Sequence, residues 1–322
     1  MYRGKTNINE FDFDVVIIGN SCLENILCVK NLPQLKSHKE VELAGCWTSV
    51  GGNGLNVACY AQKIGMRVSF YSKVPEGMYR DVTNEIGRSR LTASDIVKDT
   101  RADTPHVYII VEESGDYSVI VSDRNGLSYR PSDLSPQPVI GNAPYVHMDG
   151  FTLGSLGTAS QIEAANIWLD IIDETGALLS IDLSHALCDN LPDRAKEVIG
   201  RAKIVFGNSY EATSITGSDD AVSAAKALLE MGPADVVVKD GERGLVYGSA
   251  LGIGKVPAFR SEIVDTIGAG DGVVAGTLHG LCVGMSIEQS SRVGAAVAAL
   301  VCGGHGSQGA DFSMRDVRDL LN

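Results

Sequence analysis

YVHMDGFTLGSLGTASQIEAANIWLDIIDETGALLSID (145–182) holds two short apolar runs separated by a segment of a different period. The runs YVHMDG (145–150) and ALLSID (177–182) have the length and apolar continuity of strands buried on both faces. Between them Ile162, Ala165, Leu169 and Ile172 recur at helical spacing over 159–175. Strand, helix, strand in this order is a βαβ unit, whose two strands run parallel. The rhythm continues with a helix near 192–201, the strand KIVFGN (203–208), a helix near 219–231 and the strand ADVVVKDG (234–241). Upstream, VVIIG (15–19) is another apolar run closed by glycine. The chain therefore reads as an α/β fold with helices on both faces of a mainly parallel sheet, and ligands in such sheets bind beyond the carboxyl ends of the strands.

Two stretches interrupt the rhythm. Residues 21–50 and 105–123 lack helical periodicity, and VYIIVEESGDYSVIVSD (107–123) reads as two strands joined around Glu113 to Asp116. The expected organisation is a main α/β domain made of 11–20, 51–104 and 124–322, with a small β-sheet from 21–50 and 105–123 beside it as a lid.

The composition narrows the function. A chain of 322 residues, 44% hydrophobic and 21% charged, has ample length for a buried core. Its 27 basic and 40 acidic residues give a net charge of −13, and no Lys/Arg cluster appears, so neither nucleic acid nor an anionic membrane is expected as partner. No segment approaches about 18 uninterrupted apolar residues, and MYRGKTNINEFDFDVVIIG (1–19) carries acids where a signal peptide has a basic region. A cytoplasmic location is expected. The seven cysteines (22, 28, 46, 59, 188, 282 and 302) form no CxxC and lie mostly in apolar runs, as reduced thiols do. Glycine is in excess: 36 residues, about one in nine against about one in fourteen in ordinary proteins. Because glycine weakens regular structure, the excess points to places where backbone turns tightly or touches something.

Two glycine-rich segments carry chemistry. In VDTIGAGDGVVAGTLHGL (264–281), Gly268, Ala269 and Gly270 precede an apolar helix with Asp271 in its first turn. Small residues there let N–H groups converge on a phosphoryl group, aided by the helix dipole. A carboxylate at that spot can accept a proton from an attacking hydroxyl, and it can equally be a helix cap. Gly272, Gly276, Gly280 and Gly284 then recur on one helix face, which suits close packing. In VGGNGLNVACYAQKIG (50–65), Asn53 and Asn56 stand at the mouth of a helix, where an amide can read hydroxyl groups or cap the helix. GHGSQG (304–309) matches GxGxxG but follows a helix and leaves too few residues for a dinucleotide fold. There is no GxxxxGK[ST], and the six histidines form no HxH or HxxxH.

On these two segments the chain resembles the ribokinase-like, or PfkB, family of carbohydrate and nucleoside kinases. GGNGLNVA is similar to its first signature and DTIGAGD to its second, with NSYE (208–211) at its N-x-x-E and KDGERG (239–244) at its G-x-x-G nucleotide loop. The resemblance implies a ribokinase-like three-layer αβα fold with a small β-sheet lid. It implies ATP and Mg²⁺ as cofactors, a sugar or sugar derivative as substrate, and a homodimer formed through the lid.

Residue by residue, the resemblance makes Asp271 the general base and Gly268, Ala269 and Gly270 the anion hole. Asn208 and Glu211 would organise Mg²⁺ through water. Asn208, Lys239, Gly241 and Gly244 would line the nucleotide, and Gly52, Asn53 and Asn56 the sugar. Asp265, Ile267, Val301 and Gly306 fall where potassium-activated members hold a monovalent cation. Glu24 stands where the family usually has an aspartate gripping substrate hydroxyls, and Asn53 where ribokinases often carry lysine. IDLSHA (181–186) is as similar to nucleoside kinases as to sugar kinases, and Trp47, Tyr108 or Tyr117 in the lid could stack a base. A nucleoside kinase is thus the alternative reading. A non-catalytic sensor is the third, disfavoured because a sensor needs no base.

Overall fold

A computed structural model describes residues 11–31, 40–112, 117–121, 129–134 and 140–322. The chain begins with β1 (Val15–Ile18), β2 (Cys22–Val29), β3 (Leu43–Gly51), α1 (Asn53–Lys63), β4 (Val68–Pro75), α2 (Tyr79–Ser89) and β5 (Ala93–Asp99). It continues through β6 (His106–Glu112), β7 (Tyr117–Val121), β8 (Tyr145–Asp149), α3 (Ala159–Thr175), β9 (Leu178–Asp182), α4 (His185–Asn190), α5 (Pro192–Arg201) and β10 (Ile204–Asn208). The last third holds α6 (Ser209–Thr216), α7 (Ala221–Glu230), β11 (Asp235–Lys239), β12 (Leu245–Ser249), β13 (Gly252–Val256), α8 (Ala269–Cys282), α9 (Ile287–Val301) and α10 (Met314–Leu321).

The predicted βαβ rhythm is present from β8 to β11. These strands join one nine-stranded sheet in the order β13-β12-β11-β10-β9-β8-β1-β4-β5. All neighbours from β11 to β5 are parallel, while β12 and β13 form an antiparallel hairpin at one edge. Because β1 (VVII) and all eight positions of β4 are buried, both faces of the sheet must be covered. Val15, Ile17 and Phe70 pack toward α1, α2, α8, α9 and α10, and Val16, Ile18 and Val205 toward α3 to α7. Three layers result.

The two stretches without helical period supply a second, four-stranded sheet, β3-β2-β6-β7. Here β2 pairs antiparallel with β3 and parallel with β6, and β6 pairs antiparallel with β7. The turn expected at Glu113 to Asp116 lies outside the described residues. Alternation along β2 buries Cys22, Glu24 and Ile26, and the register sets Ser49 opposite Glu24 and Trp47 opposite Ile26. Trp47 thus shares the inner face with Glu24. Tyr108 pairs with Asn25 and belongs to the other face. The side chain of Tyr117 lies outside the description.

Glycines shape two contacts. A Cβ on Gly276 would stand 2.8 Å from the Cα of Gly294, and one on Gly280 2.7 Å from the Cα of Ser290, so α8 and α9 lie almost backbone to backbone. Gly284 departs from the expected row: it lies beyond α8 with φ +83°, and a Cβ there would meet nothing. Its role is to turn the chain after the helix. At the sheet, a Cβ on Gly54 would overlap the Cα of Gly19, which brings the start of α1 directly against the carboxyl end of β1.

Candidate active site

Parallel register lines up the carboxyl ends of the central strands. Asp149 ends β8, Asp182 ends β9, Asn208 ends β10 and Lys239 ends β11, with Asp149 in register with Asp182 and Asn208 with Lys239. The N-termini of α1 and α8 converge on the same edge, and Asn56 Nδ2 donates to Asp271 Oδ2 at 2.8 Å although 215 residues separate the two.

Gly268 is the N-cap of α8 in the left-handed region (φ +81°), and a side chain there would run into the Tyr60 hydroxyl. Tyr60 in turn donates to the carbonyl of Ser307. The next residue departs from expectation. The Ala269 N–H is taken by the Thr266 carbonyl (3.2 Å), closing the turn before the helix. As first-turn groups, the N–H groups of Gly270 and Asp271 have no carbonyl within the helix to bond. Lys239 Nζ lies 3.5 Å from where a Cβ on Gly270 would be, so an ammonium stands beside these donors. Lys239 is itself paired with both oxygens of Asp182, at 2.8 and 2.7 Å.

Burial drives the Asp271 carboxyl up to about 8; the Asn56 hydrogen bond and Lys239 oppose this, while Asp182 and Glu24 add to it. A carboxyl there is basic enough to take a proton from a reacting hydroxyl near neutral pH.

Glu24 is buried among three protein donors, one of them the Asn56 amide. The Gly52 N–H reaches Oε1 (3.1 Å) and Ser307 Oγ reaches Oε2 (2.7 Å), tying the smaller sheet to the loop after α9. Asn53, at the mouth of α1, is half-buried. Asp265 also bridges loops, accepting from Ile267 N–H (2.9 Å) and Gly306 N–H (2.6 Å). A cation at that point would meet a carboxylate already holding two donors.

Asn208 and Glu211 form a reciprocal cap on α6. Asn208 Oδ1 accepts from the Glu211 N–H and Glu211 Oε2 from the Asn208 N–H, both at 2.8 Å. Burial lifts Glu211 to about 7 against the pull of Lys239. His185 Nε2 sits 3.1 Å from Asn208 Nδ2 and 3.7 Å from Glu211 Oε1. These oxygen donors suit a hard cation such as Mg²⁺, and their commitment to the cap favours contact through water. Gly241 (φ +60°) opens a short turn to Arg243. At Gly244 (φ +91°) a side chain would overlap the Val256 carbonyl, so the β12–β13 hairpin backs directly onto this loop.

Asp149, Asp182, Ser307 and Gln308 escaped the motif reading. The two aspartates had a signal, namely a lone acid at the carboxyl end of a buried strand. Asp149 accepts from the N–H groups of Asn20, Phe151 and Thr152, yet burial still raises it to about 6.

Asp149, Glu211 and Asp271 therefore hold protons in the fold that the unfolded chain releases near pH 4. For an acid with a raised pKa, folding takes up protons between the two values, so the contribution to stability falls as pH rises through roughly 4 to 8. The ligand-free protein is expected to melt lower at pH 8 than at pH 6, with Asp271→Asn removing part of the slope. Thermal melts at the two pH values check this, and an Asp271→Asn slope equal to wild type contradicts it.

A family model described as pfkB family carbohydrate kinase matches residues 12–312. The chain belongs to this family. A pfkB kinase is a phosphotransferase with an alcohol acceptor, and use of ATP follows from membership. Among curated pfkB relatives, the ribokinase of Bacillus subtilis is 24% identical over 316 residues, covering 96% of this chain and 99% of the relative. The cytidine kinase of Thermococcus kodakarensis is 28% identical over 254 residues, covering 77% and 85%. The solved adenosine kinase of Sinorhizobium meliloti superposes with a TM-score of 0.80 at 21% identity, over 97% of this chain and all of that one, which shows the ribokinase fold. Among the described residues no helix is long and apolar enough to cross a membrane.

Proposed function

We propose that this chain transfers the γ-phosphoryl group of ATP to a hydroxyl of a sugar or sugar derivative, with Asp271 as general base. The observation that carries this reading is the Asp271 carboxyl, buried in the first turn of α8, bonded to Asn56 and flanked by first-turn N–H groups and Lys239.

Asp271 takes the proton of the acceptor hydroxyl as its oxygen attacks the γ-phosphorus and the bond to the ADP oxygen breaks. The N–H groups of Gly270 and Asp271, at the glycine turn opened by Gly268, meet the charge on the transferring group together with the Lys239 ammonium. Gly241 and Gly244 flank the nucleotide. Glu24, Gly52, Asn53 and Asn56 line the acceptor, with Asn56 offering its amide beside the base. Asn208 and Glu211 are the residues that would hold Mg²⁺, through water, and the ion would supply charge to neutralise the phosphates. Asp265, with the carbonyls of Ile267, Val301 and Gly306, is the place for a monovalent cation. The smaller sheet acts as the lid, its inner face excluding water from the transfer.

A nucleoside acceptor is the second reading, favoured by Trp47, whose indole lies on the inner face, edge-on to His305 at 5.2 Å, where a base could stack. ATP consumption measured over sugars, sugar phosphates and nucleosides with Mg²⁺, with and without K⁺, separates the two. Turnover on sugars is expected. Turnover on nucleosides alone selects the second reading, and none on any acceptor removes both.

We also propose a homodimer through the lid. Among the described residues β7 and β3 are the edges of the smaller sheet; Val119 and Ile120 on β7 are half exposed, as is Leu43 on β3, and apolar edges invite pairing with a second copy. Light scattering should give twice the 34.1 kDa chain mass, and Ile120→Lys should halve it. A monomer at micromolar concentration rejects the interface.

A further inference from the structure

Asn56 reaches Asp271 with its Nδ2, and its other amide atom is also engaged. Gln308, on the loop after α9, donates from Nε2 to Asn56 Oδ1 at 2.8 Å, across 252 residues of sequence. Gln308 Oε1 is buried without a hydrogen-bond partner among the described residues. Three side chains thus form a line, Gln308 to Asn56 to Asp271, with every donor pointing toward the carboxylate.

The direction of the line matters. An asparagine amide has one donor end and one acceptor end, so whatever faces Oδ1 decides whether Nδ2 is free to serve Asp271. An ionised carboxylate only accepts, and the present polarity suits it. A protonated carboxyl is served by the opposite polarity, with its O–H donating to Asn56 Oδ1.

We propose that Gln308 is a positioning residue for the base, holding the Asn56 amide in the orientation that supports ionised Asp271. This rests on the reading of Asp271 as base, but the test below follows the proton itself and needs no turnover. From the elements packed around it, Asp271 faces Asn56 and Tyr60 on α1, Cys22 and Glu24 on β2, Asp182 at the end of β9 and Lys239 at the end of β11. None of these residues is itself altered when residue 308 alone is changed. Gln308 touches neither Asp271 nor, in this reading, the transferring phosphoryl group.

The test is the titration of the Asp271 carboxyl by carbon NMR of the full-length protein labelled with ¹³C-aspartate, the resonance being assigned by its loss in Asp271→Asn. Gln308→Met deletes the donor and adds no charge. It should raise the Asp271 midpoint by about one pH unit, the order expected for loss of one hydrogen bond to a charged group. Gln308→Glu presents only acceptors to Asn56, reverses the line and should raise the midpoint further. In an Asn56→Leu background, Gln308→Met should add no shift, because the residue through which it acts is gone. Midpoints within about 0.2 units of wild type in both single variants overturn the proposal, as does an equal shift with and without Asn56. If Gln308→Met does not fold, Gln308→Ala, which also deletes the donor without adding a charge, takes its place in both backgrounds. Should Asp271→Asn retain turnover while these shifts appear, the base reading fails and the positioning of the proton stands.

Discussion

Asp271→Asn lowers kcat by about a hundred- to ten-thousand-fold, the range lost with a general base, and leaves the Kd for ATP within a few-fold of wild type. Asparagine keeps the size of the side chain and can still bond Asn56, so α8 and its N–H groups stay in place; what disappears is the ability to take a proton. Single-turnover kinetics and calorimetric titration with ATP separate the two quantities. The pH profile adds a second signature. Because the base must be ionised, wild-type kcat/KM should fall tenfold per unit below about pH 8, the value to which burial raises this carboxyl, and the variant's residual rate should be flat there. A variant with kcat within tenfold of wild type removes Asp271 as base, whereas lost ATP binding assigns it to the nucleotide instead.

Lys239→Met is expected to be nearly as damaging, for two separable reasons. It leaves Asp182 as a buried carboxylate without its cation, at a cost of about 3–5 kcal/mol, a large part of the roughly 5–15 kcal/mol that holds a domain together. It also takes the ammonium away from the Gly270 turn and from Asp271, which Lys239 helps to keep ionised. The double variant Asp182→Asn with Lys239→Met removes both charges. It should recover most of the melting temperature while kcat stays depressed at least a hundredfold. Recovery of wild-type turnover in the double variant would make Lys239 a structural partner of Asp182 alone.

How much of this was readable beforehand follows from how far apart the interacting residues lie. The βαβ rhythm between 145 and 241 was visible because each strand and helix carries its own period, and α3 and α5 begin and end where that period does. The short helices α4 and α6 were not, since six and eight residues give too few turns to show a period. The β12–β13 hairpin was also missed: its glycines at 248, 252 and 254 dilute the alternation that marks strands. At the site, Asp271 with its glycine turn, and Asn208 with Glu211, were local patterns and could be read as such. The Lys239 to Asp182 pair and the line from Gln308 to Asn56 join residues 57 and 252 positions apart, which only strand register and the return of the loop after α9 bring together. The occupied N–H of Ala269 shows the converse case, where the motif was legible but the hydrogen bond of its turn was not.

The contact between Gly19 and Gly54 bears on how such a protein can be remodelled. A methyl group added to either one lands on the backbone of the other, so no single substitution at the pair is tolerated without moving β1 against α1. That junction carries the start of the helix bearing Asn56, and it locks this end of α1 to the central sheet. In the function proposed above, variation that retunes the acceptor is expected instead on the inner face of β3, at Trp47 and Ser49, where no backbone lies against backbone. A library directed there, with 19 and 54 held constant, searches new specificities while the chemistry stays where it is.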